Sequence, residues 1–378
     1  MKIPSLPISL AALLSKVRSP GIRQAALTLT TLVLLAPPSA AQASKPADPD
    51  ALPKTKAVLA FLTELPKRKD RKLISGQFPE WYPRASLDSF RELQKDTGQT
   101  PGILSLDYFE TFLDDAAATE PLLNKPARWQ AINPLLIEHW RAGGLVTLSV
   151  HMTHPWTGKK AWETSGNLKD LVIDGKPAPM LQAILDPIAD GLADLQKQGV
   201  VVLFRPYHEL TNNAFWWSSK DSGAFKAMWR ATFQYFTETK KLHNLLWIYN
   251  PMAGCGKRAM DYYPGESLVD MVSLDLYSPN LAGEVANYQL LKTTGKPFAL
   301  AEFGPGNVKF TADTFANTTL NYDYGGFSEL LLKHFPDTVF FVAWRGPFSL
   351  NKNRNAKTLL ASPLLLNLEQ LSEATKGF

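Results

Sequence analysis

The chain has 378 residues, 45% of them hydrophobic and 20% charged, with 23 Gly and 28 Pro, which excludes intrinsic disorder, a collagen-like repeat and a coiled coil. Its formal charge of +5 is concentrated at one end: Lys2, Lys16, Arg18 and Arg23 precede residue 44 without one acidic residue, and the rest of the chain carries only +1. A body so close to neutrality offers no electrostatic surface to DNA, RNA or acidic lipid.

In chain order, residues 1–43 read as a signal peptide: a basic start, an apolar run from Ala25 to Ala36, then Pro37-Pro38-Ser39 and the small-residue site Ala41-Gln42-Ala43. That run is shorter than the ~20 residues a membrane span needs. Cleavage after Ala43 is therefore expected, with export to the periplasm or the medium and no membrane attachment afterwards. Residues 44–56 are Pro-rich, polar and without periodicity, and read as a linker; 57–378 reads as one domain. Cys255 is the only cysteine, so no intrachain disulfide can form and a large core has to supply the stability.

Eight short apolar runs come next, separated by longer segments of helical period: Leu73 to Ser75, Ile103 to Leu106, Leu145 to Val150, Val200 to Phe204, Leu245 to Tyr249, Val269 to Leu276, Phe298 to Ala301 and Val339 to Ala343. Between the third and fourth, Leu181, Ile184, Leu185, Ile188, Leu192 and Leu195 recur at spacings of three and four, an amphipathic helix ended by Gly199. Unbroken apolar character, as in Val200-Val201-Val202-Leu203-Phe204, marks strands buried on both faces and hence parallel. The fold class expected is α/β, a (β/α)8 TIM barrel. An open doubly wound sheet is the alternative, but no G-x-G-x-x-G follows the first run. The tail from Ser349, with its leucines, reads as the closing barrel helix.

A barrel places chemistry just past its strand ends. There the sequence sets Gly76-Gln77, Asp107-Tyr108, His151, Arg205-Pro206-Tyr207-His208-Glu209, Asp275, Tyr277, Glu302, Trp344 and Arg345. Glu209 and Glu302, at the fourth and seventh strands, are two carboxylates able to face each other across a rim, which glycosidic cleavage requires: one protonated for the leaving oxygen, the other ionised. For either Glu alone, a surface salt bridge or a place near a helix N-terminus is the plainer reading. Of ten Trp, Trp129, Trp140, Trp229 and Trp247 fall in helix or strand patterns, whereas Trp81, Trp156, Trp162, Trp216, Trp217 and Trp344 fall near the rim, where indoles can stack on sugar rings. His151-Met152-Thr153-His154 lacks the companions of a metal site, and no G-x-S-x-G or G-x-x-x-x-G-K-[ST] is present. Neither cofactor nor metal is expected.

Arg205-Pro206-Tyr207-His208-Glu209 with Phe215-Trp216-Trp217 resembles glycoside hydrolase family 26, a family of secreted β-mannanases with a barrel fold. Ile74-Ser75-Gly76-Gln77, Ser149-Val150-His151-Met152, Asp275-Leu276-Tyr277 and Leu300-Ala301-Glu302-Phe303-Gly304 are similar to its other motifs, in its order. The resemblance implies Glu209 as acid/base and Glu302 as nucleophile of a retaining double displacement. It further implies Tyr277 as the hydrogen-bond donor that depresses the pKa of Glu302, His208 beside the nucleophile or the sugar, His151, Arg205 and Asp275 around the sugar, and Trp344 as its stacking floor. Trp216 and Trp217 are taken as substrate-binding.

Two departures bear on substrate. Leu210-Thr211-Asn212-Asn213-Ala214 stands where the family commonly has Met-Asn-Gly-x-Trp, and Val150 where a Trp is frequent. The function expected is a secreted, monomeric, retaining endo-β-1,4-mannanase acting on mannan or galactomannan. The alternatives are β-1,3-1,4-glucan or xylan as substrate of the same mechanism, a transglycosylase, and a non-catalytic carbohydrate-binding barrel.

Overall fold

All eight apolar runs become strands, and each pairs in parallel with the next. The computed structural model describes residues 45–80, 85–108, 129–218, 221–306, 308 and 318–378; the expected signal peptide and Trp81 lie outside the described residues. Strand β1 is split by Ser75 into Leu73–Ile74 and Gly76–Gln77. It is followed by β2 (Ile103–Asp107), β3 (Leu145–Ser149), β4 (Val202–Arg205), β5 (Leu245–Tyr249), β6 (Met271–Leu276), β7 (Phe298–Phe303) and β8 (Thr338–Ala343). Strand β8 returns to β1 through the pairs Phe340 with Ile74 and Ala343 with Gln77, so the sheet closes into a (β/α)8 barrel.

Every residue of β2 to β8 is buried. One face of each strand fills the barrel and the other lies under helices, which is why the runs are continuous rather than alternating. Helix Pro179–Lys197 covers the sheet with Leu181, Ile184, Leu185, Ile188, Leu192 and Leu195, all buried as the spacing predicts. Gly199 then turns the chain at φ +71°, a left-handed conformation that favours glycine. The ladder extends some strands beyond their apolar runs: Arg205 ends β4 and Glu302 lies inside β7.

Two segments depart from the sequence reading. From Ala47 onward the expected linker is tied to the barrel, with Ala47 N donating to Asp270 Oδ1 at 2.6 Å and His243 Nδ1 2.8 Å from Asp48 Oδ2. Helix Pro53–Glu64 starts inside it; a proline there signals a helix start, because the first helical N–H needs no partner. The expected closing helix is instead helix Ala356–Leu360, a short strand Leu365–Leu366 paired with Leu73–Ile74, and helix Leu368–Ala374. Asn367 caps the last of these through a reciprocal bond with Gln370.

Gly76 sits where β1 presses on its neighbours: a Cβ there would lie 2.5 Å from the carbonyl oxygen of Phe341 and 3.2 Å from Ile103 Cβ. Backbone on one side cannot yield as a side chain would. Gly76→Ala is expected to destabilise the fold by about 2 kcal/mol, read as a lowered urea midpoint; an unchanged midpoint would mean that β1 is free to shift.

Candidate active site

The loop after β4 holds a backbone that few residues adopt unaided. Tyr207 and Glu209 have φ of +53° and +51°, a left-handed conformation costing on the order of 1 kcal/mol or more for a residue with a Cβ. Neighbouring groups hold it there. Glu209 N donates to Asn250 O at 2.8 Å, Trp217 Nε1 to His208 O at 2.8 Å, and the Tyr207 hydroxyl is 2.7 Å from Thr232 Oγ1. Glu209 is thereby turned out to the rim while His208, one residue earlier, is buried.

Behind the rim, the guanidinium of Arg205 is fully buried. Its Nη1 donates to Asn250 Oδ1 at 2.7 Å and lies 3.3 Å from Asp275 Oδ2; its Nη2 donates to Glu302 Oε1 at 2.9 Å. The other oxygen of Glu302 accepts from the Tyr277 hydroxyl at 2.7 Å. Glu209, Asp275 and Glu302 each bring a carboxylate oxygen within 4.8 Å of the others. Three acids around one guanidinium cannot all stay ionised at neutral pH without strong repulsion.

Their environments separate them. Burial, then the charge of Glu302, pushes the Glu209 carboxyl up to about 8, with Arg205 and the amide of Asn212 opposing. Asp275 is also driven well up by burial and by Glu302. For Glu302, burial again raises the pKa, but Arg205 and the Tyr277 hydroxyl hold its charge in place. The Glu302 carboxyl therefore stands above its ordinary value, not below it as the resemblance implied, because desolvation outweighs the two donors. Glu209 still retains its proton more readily than Glu302, since Glu209 faces a like charge with a single amide donor 2.6 Å from Oε2.

A cleft of roughly 560 Å³ opens at the ends of the strands and is lined by His151, His208, Glu209, Tyr277, Glu302 and Trp344 among others. Six of the ten residues singled out from the sequence thus share one cavity. Arg205 and Asp275 lie behind it, in contact with its carboxylates rather than with its space.

Trp216 and Trp217 are corrections. Both are buried, at 3% and 0% exposure, and neither lines the cleft. Their indole N–H groups are spent on the carbonyls of Met152 and His208, so they brace the loops, and Phe215 takes the place at the wall.

Asn250 escaped the sequence reading, and Asp107, set at a strand end there, had no partner assigned. Asp107 accepts from His151 N at 3.1 Å and is 3.0 Å from His151 Nδ1, with a further bond from Ser149 Oγ, fixing how the imidazole is presented. Asn250 bonds Arg205 and the backbone of Glu209, and its place directly after a buried strand was the one available signal. Asp107, His151 and His208 also bring ligand-type atoms within 4.8 Å of one another. Asp107 is already committed to three donors, and the charge of Arg205 acts on His208, so a further cation there would be repelled.

Comparison with known proteins accords with this geometry. The sequence model of the family described as Glycosyl hydrolase family 26 matches residues 47–367. A mannan endo-1,4-beta-mannosidase of Bacillus subtilis is 32% identical in an alignment that covers 92% of this chain and 96% of that protein. The structure of a Bacillus subtilis mannanase is 30% identical with a TM-score of 0.73, covering 85% of this chain and 95% of its own. The fold is shared too with a β-mannanase from a symbiotic protist of the termite Reticulitermes speratus, solved with a gluco-manno-oligosaccharide, at 24% identity, TM-score 0.67, and coverage of 87% and 97%.

Removing the guanidinium leaves its two acidic partners buried without compensation. Arg205→Met is expected to cost about 3 kcal/mol or more at pH 7. With the cation gone, the folded-state pKa values of Asp275 and Glu302 rise further, so the native state gains protons as pH falls and the deficit shrinks toward pH 5. Denaturant titrations of both proteins at the two pH values check this; a deficit independent of pH would show that the loss is one of packing.

Proposed function

The chain belongs to glycosyl hydrolase family 26 and is a glycoside hydrolase, and on that premise we propose that it is an endo-β-1,4-mannanase that cleaves mannan or galactomannan with retention. The support for mannan lies in the names of its relatives. The observation that carries the mechanism is the pair Glu209 and Glu302, one oxygen of each within 4.8 Å of the other, with unlike surroundings. Carboxyls about 5 Å apart suit direct attack, whereas an intervening water needs roughly 6.5 to 9.5 Å.

In this reading, an ionised Glu302 oxygen attacks the anomeric carbon while Glu209 gives its proton to the departing glycosidic oxygen. The chain beyond the cleaved bond leaves as an alcohol, and a glycosyl ester on Glu302 remains. Glu209, now a carboxylate, takes a proton from an incoming water whose oxygen attacks the same carbon, releasing Glu302. Arg205 and Tyr277 stabilise Glu302 as an anion and as a leaving group. His151 and His208 line the sugar site, Trp344 provides an apolar floor, and Asp275 positions Arg205. Residues 1–43 serve as an export signal.

Glu302→Ala should lower reducing-sugar release from galactomannan by about 10³-fold or more; retention of a tenth of the activity would remove Glu302 from this role. Glu209→Ala should be rescued in its first step by an aryl glycoside with a good leaving group, and the first product seen by proton NMR should be the β-anomer. The kcat/KM profile should fall on its basic side near 8, where Glu209 loses its proton. Tyr277→Phe withdraws a donor from Glu302, raises its pKa, and should move the acidic limb upward. A panel of mannan, lichenan, xylan and cellulose tests the substrate, and sequencing the mature N-terminus tests export, since retention of Leu32 would contradict it.

A further inference from the structure

The loop after β3 sends two side chains into the cleft that the proposed reaction leaves unused. Lys160 and Trp162 both line it. The Trp162 ring stacks 5.5 Å from that of His151 and lies 5.7 Å from that of Phe215. It is 37% exposed, one of only three large exposed hydrophobic residues among the described residues. An indole left open inside a cleft offers a flat apolar face of the kind a sugar's C–H surface covers. Ala214, which also lines the cleft, offers no ring, so the aromatic surface on this wall comes from Trp162 and Phe215.

The loop is braced. His154 is buried, with Nε2 donating to Ser165 O at 3.0 Å and Nδ1 accepting from Thr157 N at 3.3 Å. Gly166 lies so close to Trp156 that a Cβ would come within 2.5 Å of its indole. Between Lys160 and Trp162, Ala161 is fully buried and its carbonyl accepts from Trp216 N at 3.0 Å, while Trp216 Nε1 donates to Met152 O. Both lining residues are thus carried on a fixed backbone.

The Lys160 ammonium makes no ion pair or hydrogen bond among the described residues, and the acid of the same loop, Glu163, is engaged by Thr157 Oγ1 at 2.9 Å. Of the carboxyls lining the cleft, Glu302 is neutralised by Arg205 and Glu209 is the group that keeps a proton. A neutral polysaccharide gives the ammonium nothing to neutralise.

We propose that Lys160 and Trp162 form a subsite for a carboxylate-bearing sugar, a uronate in the chain or an oxidised branch on it, with its ring on the indole and its carboxylate on the ammonium. The proposal rests on the mannanase reading for the bond cleaved and adds an acidic substituent to the substrate class.

Affinity electrophoresis of the full chain and of its Glu302→Ala variant, in which hydrolysis is blocked, through gels containing galactomannan, or galactomannan oxidised to carboxylates at C6 of its galactose branches, measures binding apart from turnover. The wild type should bind the oxidised polymer about threefold to fivefold more tightly at low salt, and lose that preference in about 0.5 M NaCl. Lys160→Gln should abolish the preference with kcat/KM on plain galactomannan within about twofold, Lys160→Arg should keep it, and Trp162→Ala should weaken both polymers about tenfold. Equal binding of the two polymers by the wild type, equal loss on both in Lys160→Gln, or unchanged binding in Trp162→Ala would overturn the proposal. Failure of the mannanase reading shows separately, as absence of hydrolysis of plain galactomannan by the wild type.

Discussion

A buried guanidinium governs the acidic centre. Without Arg205, Asp275 and Glu302 would be two desolvated carboxyls in one space, and both would take up protons instead of carrying charge. With it, one cation faces two acids inside the barrel and a third at the rim, so charge is scarce and has to be distributed. Tyr277 tips the distribution toward Glu302, and Glu209 and Asp275 are pushed toward holding protons. Opposite protonation states for two nearby carboxyls arise from the same shortage.

Precise placement of those groups depends on residues that never reach the cleft. Trp217 and Asn250 clamp the left-handed backbone of the loop after β4, and Trp216 reaches across to the loop after β3 through both its backbone and its indole N–H. Aromatic bulk at a barrel rim therefore does two kinds of work. Where the indole N–H finds a carbonyl and the ring is enclosed, it fixes loops. Where the ring stays partly exposed, as at Trp162, it is open to a ligand.

The barrel was legible because its signal is local: continuous apolar runs at regular intervals survive without knowing any partner. So was the general position of the acids, since strand ends are where a parallel barrel gathers polar groups. What remained hidden depended on three-dimensional neighbours. Asp107 and Asn250 look like ordinary polar residues after strands until their hydrogen bonds to His151 and Arg205 are seen. Trp216 and Trp217 carry the same letter as Trp162 and Trp344, and nothing in a string distinguishes a bracing indole from a cleft-lining one. The Pro-rich stretch 44–56 reads as linker because composition reports turns and helix starts alike.

The amino-acid order alone determined the alternation of strands and helices, the chemical types at each strand end, and a family likeness running over roughly residues 55 to 350, since each of these is written in short-range pattern. Tertiary structure alone decided which acid keeps its proton, which tryptophans face the cleft, and how near Glu209 comes to Glu302. Those outcomes arise from burial and from distances between residues far apart in the chain, and the free energy of a charge depends on what surrounds it in space rather than on what precedes it in sequence.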